Sequence, residues 1–229
     1  LDMKAAASIV KRENTRVSKL IGINKAARTT CIKPAGTTSL VLGTSSGIHA
    51  WHNNYYIRRL RVGKNESIYN YLKQNHPELV QDEYFRPHDT AVIEIPQSAP
   101  KGSILRTESA FDLLKRVKKV ATEWVKPGHR SGSNTHNVSA TISLKEDDWQ
   151  KAGKWMWDNR ECYNGLSVLP YDGGTYTQAP FEDINKKEFD KLVKHLQDIN
   201  LENVIEETDE TDLSGELACA GGSCEITSL

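Results

Sequence analysis

Hydrophobic side chains that recur every three or four residues predict helices in four parts of the chain. The first 20 residues place Ala, Ile, Val and Leu among charged residues, and Gly22 follows as a stop signal. Further helices are predicted over residues 107–125, 147–160 and 181–198. The helix predicted over 107–125 has one apolar face, formed by Phe111, Leu114, Val117, Ala121 and Trp124. The last has an apolar stripe formed by Phe189, Leu192, Val193, Leu196 and Ile199.

Short β-prone runs lie between the predicted helices. They cover residues 28–33, 55–62, 90–96, 136–144 and 165–170. Alternating strands and helices predict an α/β fold with a partly parallel sheet or barrel. Beyond about Leu201 the periodicity stops and the sequence becomes acidic and poor in aromatic residues, which is typical of a mobile tail. We therefore predict two regions, a folded one at 1–200 and a tail at 201–229.

The composition fits a globular protein with an uneven charge distribution. The 229 residues are 38% hydrophobic and lack an apolar run long enough for a membrane helix, so a cytoplasmic protein is expected. The formal net charge is zero, yet nine of the 30 acidic residues and none of the basic ones follow Lys194. The preceding part carries a net charge of about +9, which favours an anionic ligand such as a nucleotide. Plain solvation of the surface explains the charge equally well.

The stretch KPAGTTSL, residues 33–40, predicts a tight turn that opens a helix. Ala35 and Gly36 leave the backbone open to close approach, and Thr37, Thr38 and Ser39 add hydroxyls beside the free amides of a helix start. Such amides bind phosphate groups. An ordinary capped helix after a strand would have the same sequence features. No lysine follows the second glycine of a GxxxxGK[ST] pattern, so ATP hydrolysis is not implied.

Two other clusters near this turn contain residue types found in binding sites. His49 and His52 lack a carboxylate close by in the sequence, so no metal site is expected. Three arginines, Arg58, Arg59 and Arg61, stand beside tyrosines and could bind nucleic acid. A half-buried strand with a basic rim explains them more simply, and no nucleic-acid partner is expected.

Cys219 and Cys224 lie near the end of the chain, separated by Ala, Gly, Gly and Ser. The glycines would let this segment bend into a disulfide ring. A flexible linker of about 16 residues spans roughly 22 Å, so the pair could reach a distant pocket and take part in thiol–disulfide exchange. Incidental tail cysteines are the alternative. Cys31 and Cys162 lie in apolar context and are predicted to be structural.

Four ordered motifs resemble the C-terminal part of adenosylcobalamin-dependent (class II) ribonucleotide reductases, most closely the monomeric kind that acts on ribonucleoside triphosphates. They are KPAGTTSLVLGTSSGIHAWHNNYYIRRLRV, NTHNVSATISL, YNGLSVLPYDGGTYTQAP and CAGGSC. The resemblance implies the last strands and helices of a ten-stranded α/β barrel. It also implies that Ala35, Gly36, Thr37, Thr38 and Ser39 bind substrate phosphate. Cys219 and Cys224 would re-reduce the active-site disulfide and accept electrons from thioredoxin.

The same resemblance implies adenosylcobalamin as the cofactor of the complete enzyme. The cysteine that becomes a thiyl radical has no counterpart in this sequence, so the N-terminal part of the reductase is a required partner and this chain alone should be inactive. Two alternatives stay open. One is a fragment of an iron-dependent class I large subunit, whose tail also has a CxxxxC pair, and the other is a non-catalytic module that binds nucleotide phosphates.

Overall fold

The computed structural model describes residues 1–171, 173, 176–196 and 198–206. They form two compact units. The first contains Leu1–Ala50 and Thr107–Tyr171, and the second contains Trp51–Arg106 and the described residues from 173 onward. No helix in these ranges combines the length and apolar character needed to cross a bilayer.

Helices and strands alternate irregularly along the chain. The helices are α1 (Met3–Leu20), α2 (Gly36–Val41), α3 (Ser67–Asn75), α4 (Ala110–Val120), α5 (Trp149–Asp158) and α6 (Lys186–Leu192). The strands are β1 (Tyr55–Gly63), β2 (Val80–Asp82), β3 (Thr90–Ser98), β4 (Thr141–Leu144), β5 (Ser167–Pro170) and β6 (Phe181–Asp183). A π-helical turn, Ala121–Val125, continues α4.

The first unit is built around α4 and the parallel strand pair β4–β5. Ser109 caps α4 through a reciprocal pair of hydrogen bonds with Asp112, which satisfies amides at the helix start. The predicted apolar face of this helix is confirmed, because its members are buried or pack against the core. β4 pairs in parallel with β5 and buries Ile142 and Leu144 against the same core.

The second unit contains a four-stranded antiparallel sheet in the order β2-β3-β1-β6. β1 and β3 pair over nine residues, from Tyr55 opposite Ser98 to Gly63 opposite Thr90. Buried side chains on this sheet, on α3 and on the 3-10 turn Pro77–Leu79 form a second core of Val62, Leu72, Leu79, Val80, Ala91 and Ile93. Leu196 and Ile199, two members of the predicted C-terminal stripe, pack against it.

Several predicted elements differ from the structure. Residues 28–33 form only isolated bridges, Arg28 with His129 and Ile32 with Val138, rather than a continuous strand. The helix predicted over 181–198 is wrong at its start, because Phe181–Asp183 pairs with β1 and Asn185 caps a helix that begins only at Lys186. The strand predicted over 136–144 is confined to β4. The described residues form a mixed α/β structure with two small sheets and do not by themselves close a ten-stranded barrel.

The predicted boundary between residues 200 and 201 stays a prediction. The described residues after it begin with a 3-10 turn, Leu201–Asn203.

Candidate functional site

The turn predicted to bind phosphate lies at the start of α2. At the start of this helix the Ser39 amide donates to the Ala35 carbonyl at 3.2 Å, and at its end the Leu42 amide donates to the Thr38 carbonyl at 3.1 Å. The amides of residues 36–38 lie in the first turn of this helix and therefore have no acceptor within the helix. This backbone geometry agrees with the predicted turn and helix start, while a bound phosphate stays a prediction.

The side chains of this turn differ in exposure. Ala35 and Gly36 are half-buried, and Thr38 is exposed to solvent. Ser39 is buried, and its hydroxyl donates to the Gly36 carbonyl at 3.2 Å. Among the side chains described here, the Thr38 hydroxyl is therefore accessible to an anion, while the Ser39 hydroxyl is not.

The segment that leads into the turn is fixed by hydrogen bonds to the π-helical turn after α4. The Thr30 hydroxyl donates to the Trp124 carbonyl at 2.7 Å, and the Trp124 indole donates to the Cys31 carbonyl at 3.0 Å. The Thr29 amide donates to the Gly128 carbonyl at 3.1 Å. Gly128 must lack a side chain, because a Cβ there would lie 1.8 Å from Oγ1 of Thr30.

The loop that follows α2 is held by His49. Its Nδ1 lies 2.8 Å from the Ser46 carbonyl, and its Nε2 lies 3.0 Å from the Thr141 amide. An amide can only donate and a carbonyl can only accept, so the imidazole is neutral with its proton on Nδ1. Within the same loop Gly47 has a φ of +58°, and a Cβ on it would lie 3.4 Å from both the Lys33 carbonyl oxygen and the Pro34 Cα. Through its bonds to Ser46 and Thr141, His49 connects the loop after α2 to β4.

His52 is engaged in a different network. Arg106 donates to Nδ1 at 2.9 Å, and Nε2 donates to the Asp183 carboxylate at 2.9 Å. Burial and the Arg106 charge lower the pKa of His52, while Asp183 opposes them. Both ring nitrogens of both histidines are thus engaged, and the described residues contain no group of three or more metal-ligating side chains.

The three arginines of β1, considered above as a nucleic-acid surface, are mostly paired within the sheet. Arg59 donates to Glu94 at 2.7 Å and also pairs with Glu182. Arg61 lies 3.5 Å from Glu83, while Arg58 is buried. The guanidinium groups of Arg59 and Arg61 are thus engaged by carboxylates and are poorly placed to neutralise a phosphate backbone.

The four cysteines differ in what the structure says of them. The predicted redox pair, Cys219 and Cys224, lies outside the described residues. Cys162 is half-buried, but Cys31 is exposed, so the packing role expected for Cys31 is not supported. The contribution of Thr30, Gly128 and His49 to the candidate site was not predicted, because their contacts join residues about 90 to 100 positions apart.

Comparison with solved structures identifies the class of fold. The chain is similar to the crystal structure of a B-12 dependent (class II) ribonucleotide reductase, with a TM-score of 0.68 and 23% sequence identity. The similarity covers 88% of this chain and 28% of that one. This chain therefore has the fold of part of a class II reductase.

Curated relatives confirm the resemblance seen in the sequence. The chain is 28% identical over 212 residues to the adenosylcobalamin-dependent ribonucleoside-triphosphate reductase of Lactobacillus acidophilus. It is 29% identical over 213 residues to that of Lactobacillus gasseri and 27% identical over 209 residues to that of Euglena gracilis. The matches cover 91%, 91% and 87% of this chain but only 28%, 28% and 27% of the relatives. No family model matches the chain. The chain is thus related to these reductases and spans little more than a quarter of their length.

Proposed function

We propose that this chain is the C-terminal part of an adenosylcobalamin-dependent ribonucleoside-triphosphate reductase, which converts ribonucleotides to deoxyribonucleotides for DNA synthesis. The observation that carries the proposal is the similarity to such reductases over 91% of the chain. The structural similarity to a class II reductase over 88% of the chain supports it. The predicted cytoplasmic location is part of the same proposal.

The turn at residues 35–39 would bind the phosphates of a ribonucleoside triphosphate. Support comes from the start of α2, where the amides of residues 36–38 have no acceptor within the helix. The hydrogen bonds of Thr30 and His49 hold the segments on either side of this turn. A preformed backbone turn would bind the anion without first having to become ordered.

Cys219 and Cys224 would supply the electrons for each new turnover. Their two thiols would reduce the active-site disulfide of the complete enzyme by thiol–disulfide exchange, giving up two electrons and two protons and forming a disulfide between themselves. Thioredoxin would then reduce that disulfide. The support is the CxxxxC sequence at the end of a long acidic segment.

Adenosylcobalamin would supply the radical chemistry of the complete enzyme. We assign no cofactor contact to the described residues of this chain. Its own share is to bind and orient the phosphates and to carry reducing equivalents.

The N-terminal part of the reductase would complete the barrel and contribute the thiyl cysteine. In the described residues β4 and β5 pair only with each other, and Leu169 on β5 is 41% exposed. Strands of the N-terminal part would pair with these edges, as a ten-stranded barrel assembled from both parts requires.

The test joins the chain to the N-terminal part that the proposal requires. Changing Cys219 and Cys224 to Ser should abolish thioredoxin-driven multiple turnover while leaving a single turnover supported by dithiothreitol. The matched control changes Cys31 and Cys162 to Ser, which should preserve thioredoxin-driven turnover. Full thioredoxin-dependent activity in the Cys219/Cys224 variant would defeat the assignment of the tail pair.

A further inference from the structure

Arg58 stands in the middle of β1 and is a buried cation with no counter-ion among the described residues. Its exposed fraction is 8%, and its Nε is buried with no hydrogen-bond acceptor among the described residues. No ion pair in the described part of the chain includes it. A buried guanidinium without a carboxylate or equivalent partner is rare, because desolvation of the charge is left uncompensated.

The carboxylates around Arg58 are already paired with other groups. On the neighbouring positions of β1, Arg59 pairs with Glu94 and Arg61 with Glu83. Asp183 of β6 accepts from His52 at 2.9 Å. Glu182 also pairs with Arg59, so the ion pairs in this part of the sheet do not include Arg58.

The contacts that Arg58 does make are aromatic. Its guanidinium carbon lies 5.2 Å from the ring centroid of Phe181, directly opposite on β6. The His52 ring stacks on the same phenylalanine, with centroids 5.1 Å apart. A cation over an aromatic ring is stabilised, but the ring accepts no strong hydrogen bond and leaves the donors of the guanidinium available.

Tyr56, two positions before Arg58, does not act as the missing anion. Its hydroxyl donates to the Gln97 side chain at 3.1 Å, and burial raises the pKa of the phenol despite the nearby Arg58 charge. The phenol therefore stays neutral at physiological pH. Burial also lowers the pKa of Arg58, which agrees with a cation that lacks a nearby anion.

We propose that Arg58 is a binding site for an oxyanion, a carboxylate or phosphate group that comes from outside the described residues. A guanidinium presents a planar fork that matches either group with two parallel hydrogen bonds. The Phe181 ring lies against the guanidinium group on one side, which would limit the motion of that group before an anion binds. This site lies in the second unit and does not depend on the proposed reductase function or on the turn at α2.

The experiment measures the thermal unfolding midpoint of the 229-residue chain while inorganic phosphate replaces chloride at constant ionic strength. An anion that binds the folded chain raises the midpoint in proportion to the logarithm of its concentration. We expect the wild type to rise by about 4 °C or more at 100 mM phosphate, given roughly 2–4 °C per kcal/mol for a chain of this size. Arg58→Met should rise clearly less than the wild type and keep only the part contributed by the proposed phosphate turn at residues 35–39. Arg61→Met, which removes one charge from the same strand, should retain it.

A second arm repeats the titration with acetate. A rise with both anions means that the fork accepts carboxylates, as it would from an acidic side chain of a partner segment. A rise with phosphate alone means that a phosphate group is the ligand. If Arg58→Met does not fold, Arg58→Lys keeps the charge without the fork and should require at least tenfold more phosphate for the same rise. The proposal is overturned if neither phosphate nor acetate raises the midpoint of the wild type. It is also overturned if the midpoints of the Arg58 variants rise as much as that of the wild type.

Discussion

Replacing Gly128 by Ala should disrupt the segment that leads into the candidate phosphate turn. An added Cβ would lie 1.8 Å from Oγ1 of Thr30 and 2.7 Å from its Cβ and Cγ2. Thr30 is β-branched, 3% exposed and hydrogen-bonded to two carbonyls, at 2.7 Å to Trp124 and 3.3 Å to Val125, so it cannot turn aside cheaply. The backbone of Gly128 is outside the left-handed region, so alanine is compatible with its conformation and the substitution tests only the steric clash with Thr30.

The expected loss combines overpacking with broken buried hydrogen bonds. Overpacking costs about 1–3 kcal/mol, and leaving a buried donor or acceptor unpaired costs about 1–3 kcal/mol more. A total of about 2–6 kcal/mol should lower the unfolding midpoint by roughly 4–24 °C, at about 2–4 °C per kcal/mol, measured by calorimetry or circular dichroism.

Two further variants make this prediction specific. Gly153→Ala in α5 meets no heavy atom within 4 Å and should stabilise the helix by about 0.5–1 kcal/mol. In a Thr30→Ala background the additional loss caused by Gly128→Ala should shrink, because two of the three clashing atoms are gone. A Gly128→Ala midpoint within 1 °C or so of wild type would refute the close packing of these segments.

Three other perturbations have clear expected outcomes. His49→Phe leaves the Thr141 amide without its acceptor and should destabilise the chain by about 1–3 kcal/mol in denaturant unfolding, while an unchanged midpoint would mean that the loop is held otherwise. In the joined reductase, Thr38→Val should raise KM for the nucleotide with little change in kcat, and an unaltered KM would count against this hydroxyl as a phosphate ligand. Hydrogen bonds from Arg86, the larger cause, and from Thr90 lower the pKa of Asp89 to about 2. The stabilisation contributed by the Asp89 carboxylate is therefore present above about pH 4 and is lost as the pH falls towards 2. Asp89→Asn should flatten the stability profile between those pH values, and an unchanged profile would exclude this contribution.

Local sequence patterns predicted the long helices α1 and α4 and the long strands β1 and β3, but missed α3 and the short strands β2 and β6. α1 and α4 were found because each has a continuous apolar stripe and a recognisable stop or cap, which are properties of neighbouring residues. β6 was mistaken for the start of a helix, because its strand conformation depends on pairing with Tyr56, Ile57 and Arg58, more than 120 positions earlier. Distant pairing of this kind leaves no periodic signal in a three-residue strand.

The same distinction holds for the candidate site. The helix start at residues 35–39 was predicted from its local sequence, since small and hydroxyl residues after Pro34 favour such a turn. The groups that hold it in place were not predicted, because the Thr30–Trp124 and His49–Thr141 hydrogen bonds join segments that are distant in sequence. Likewise, the pairing of Arg59 with Glu94 and Glu182 could be known only once the strand register was known.

The central claim is that this chain forms part of a cobalamin-dependent reductase. Its most direct test is the formation of deoxyribonucleoside triphosphate by the chain joined to its N-terminal part, assayed with thioredoxin and with or without adenosylcobalamin. We predict product only when both the chain and adenosylcobalamin are present. Equal product formation without adenosylcobalamin, or with residues 1–229 deleted, would contradict the account.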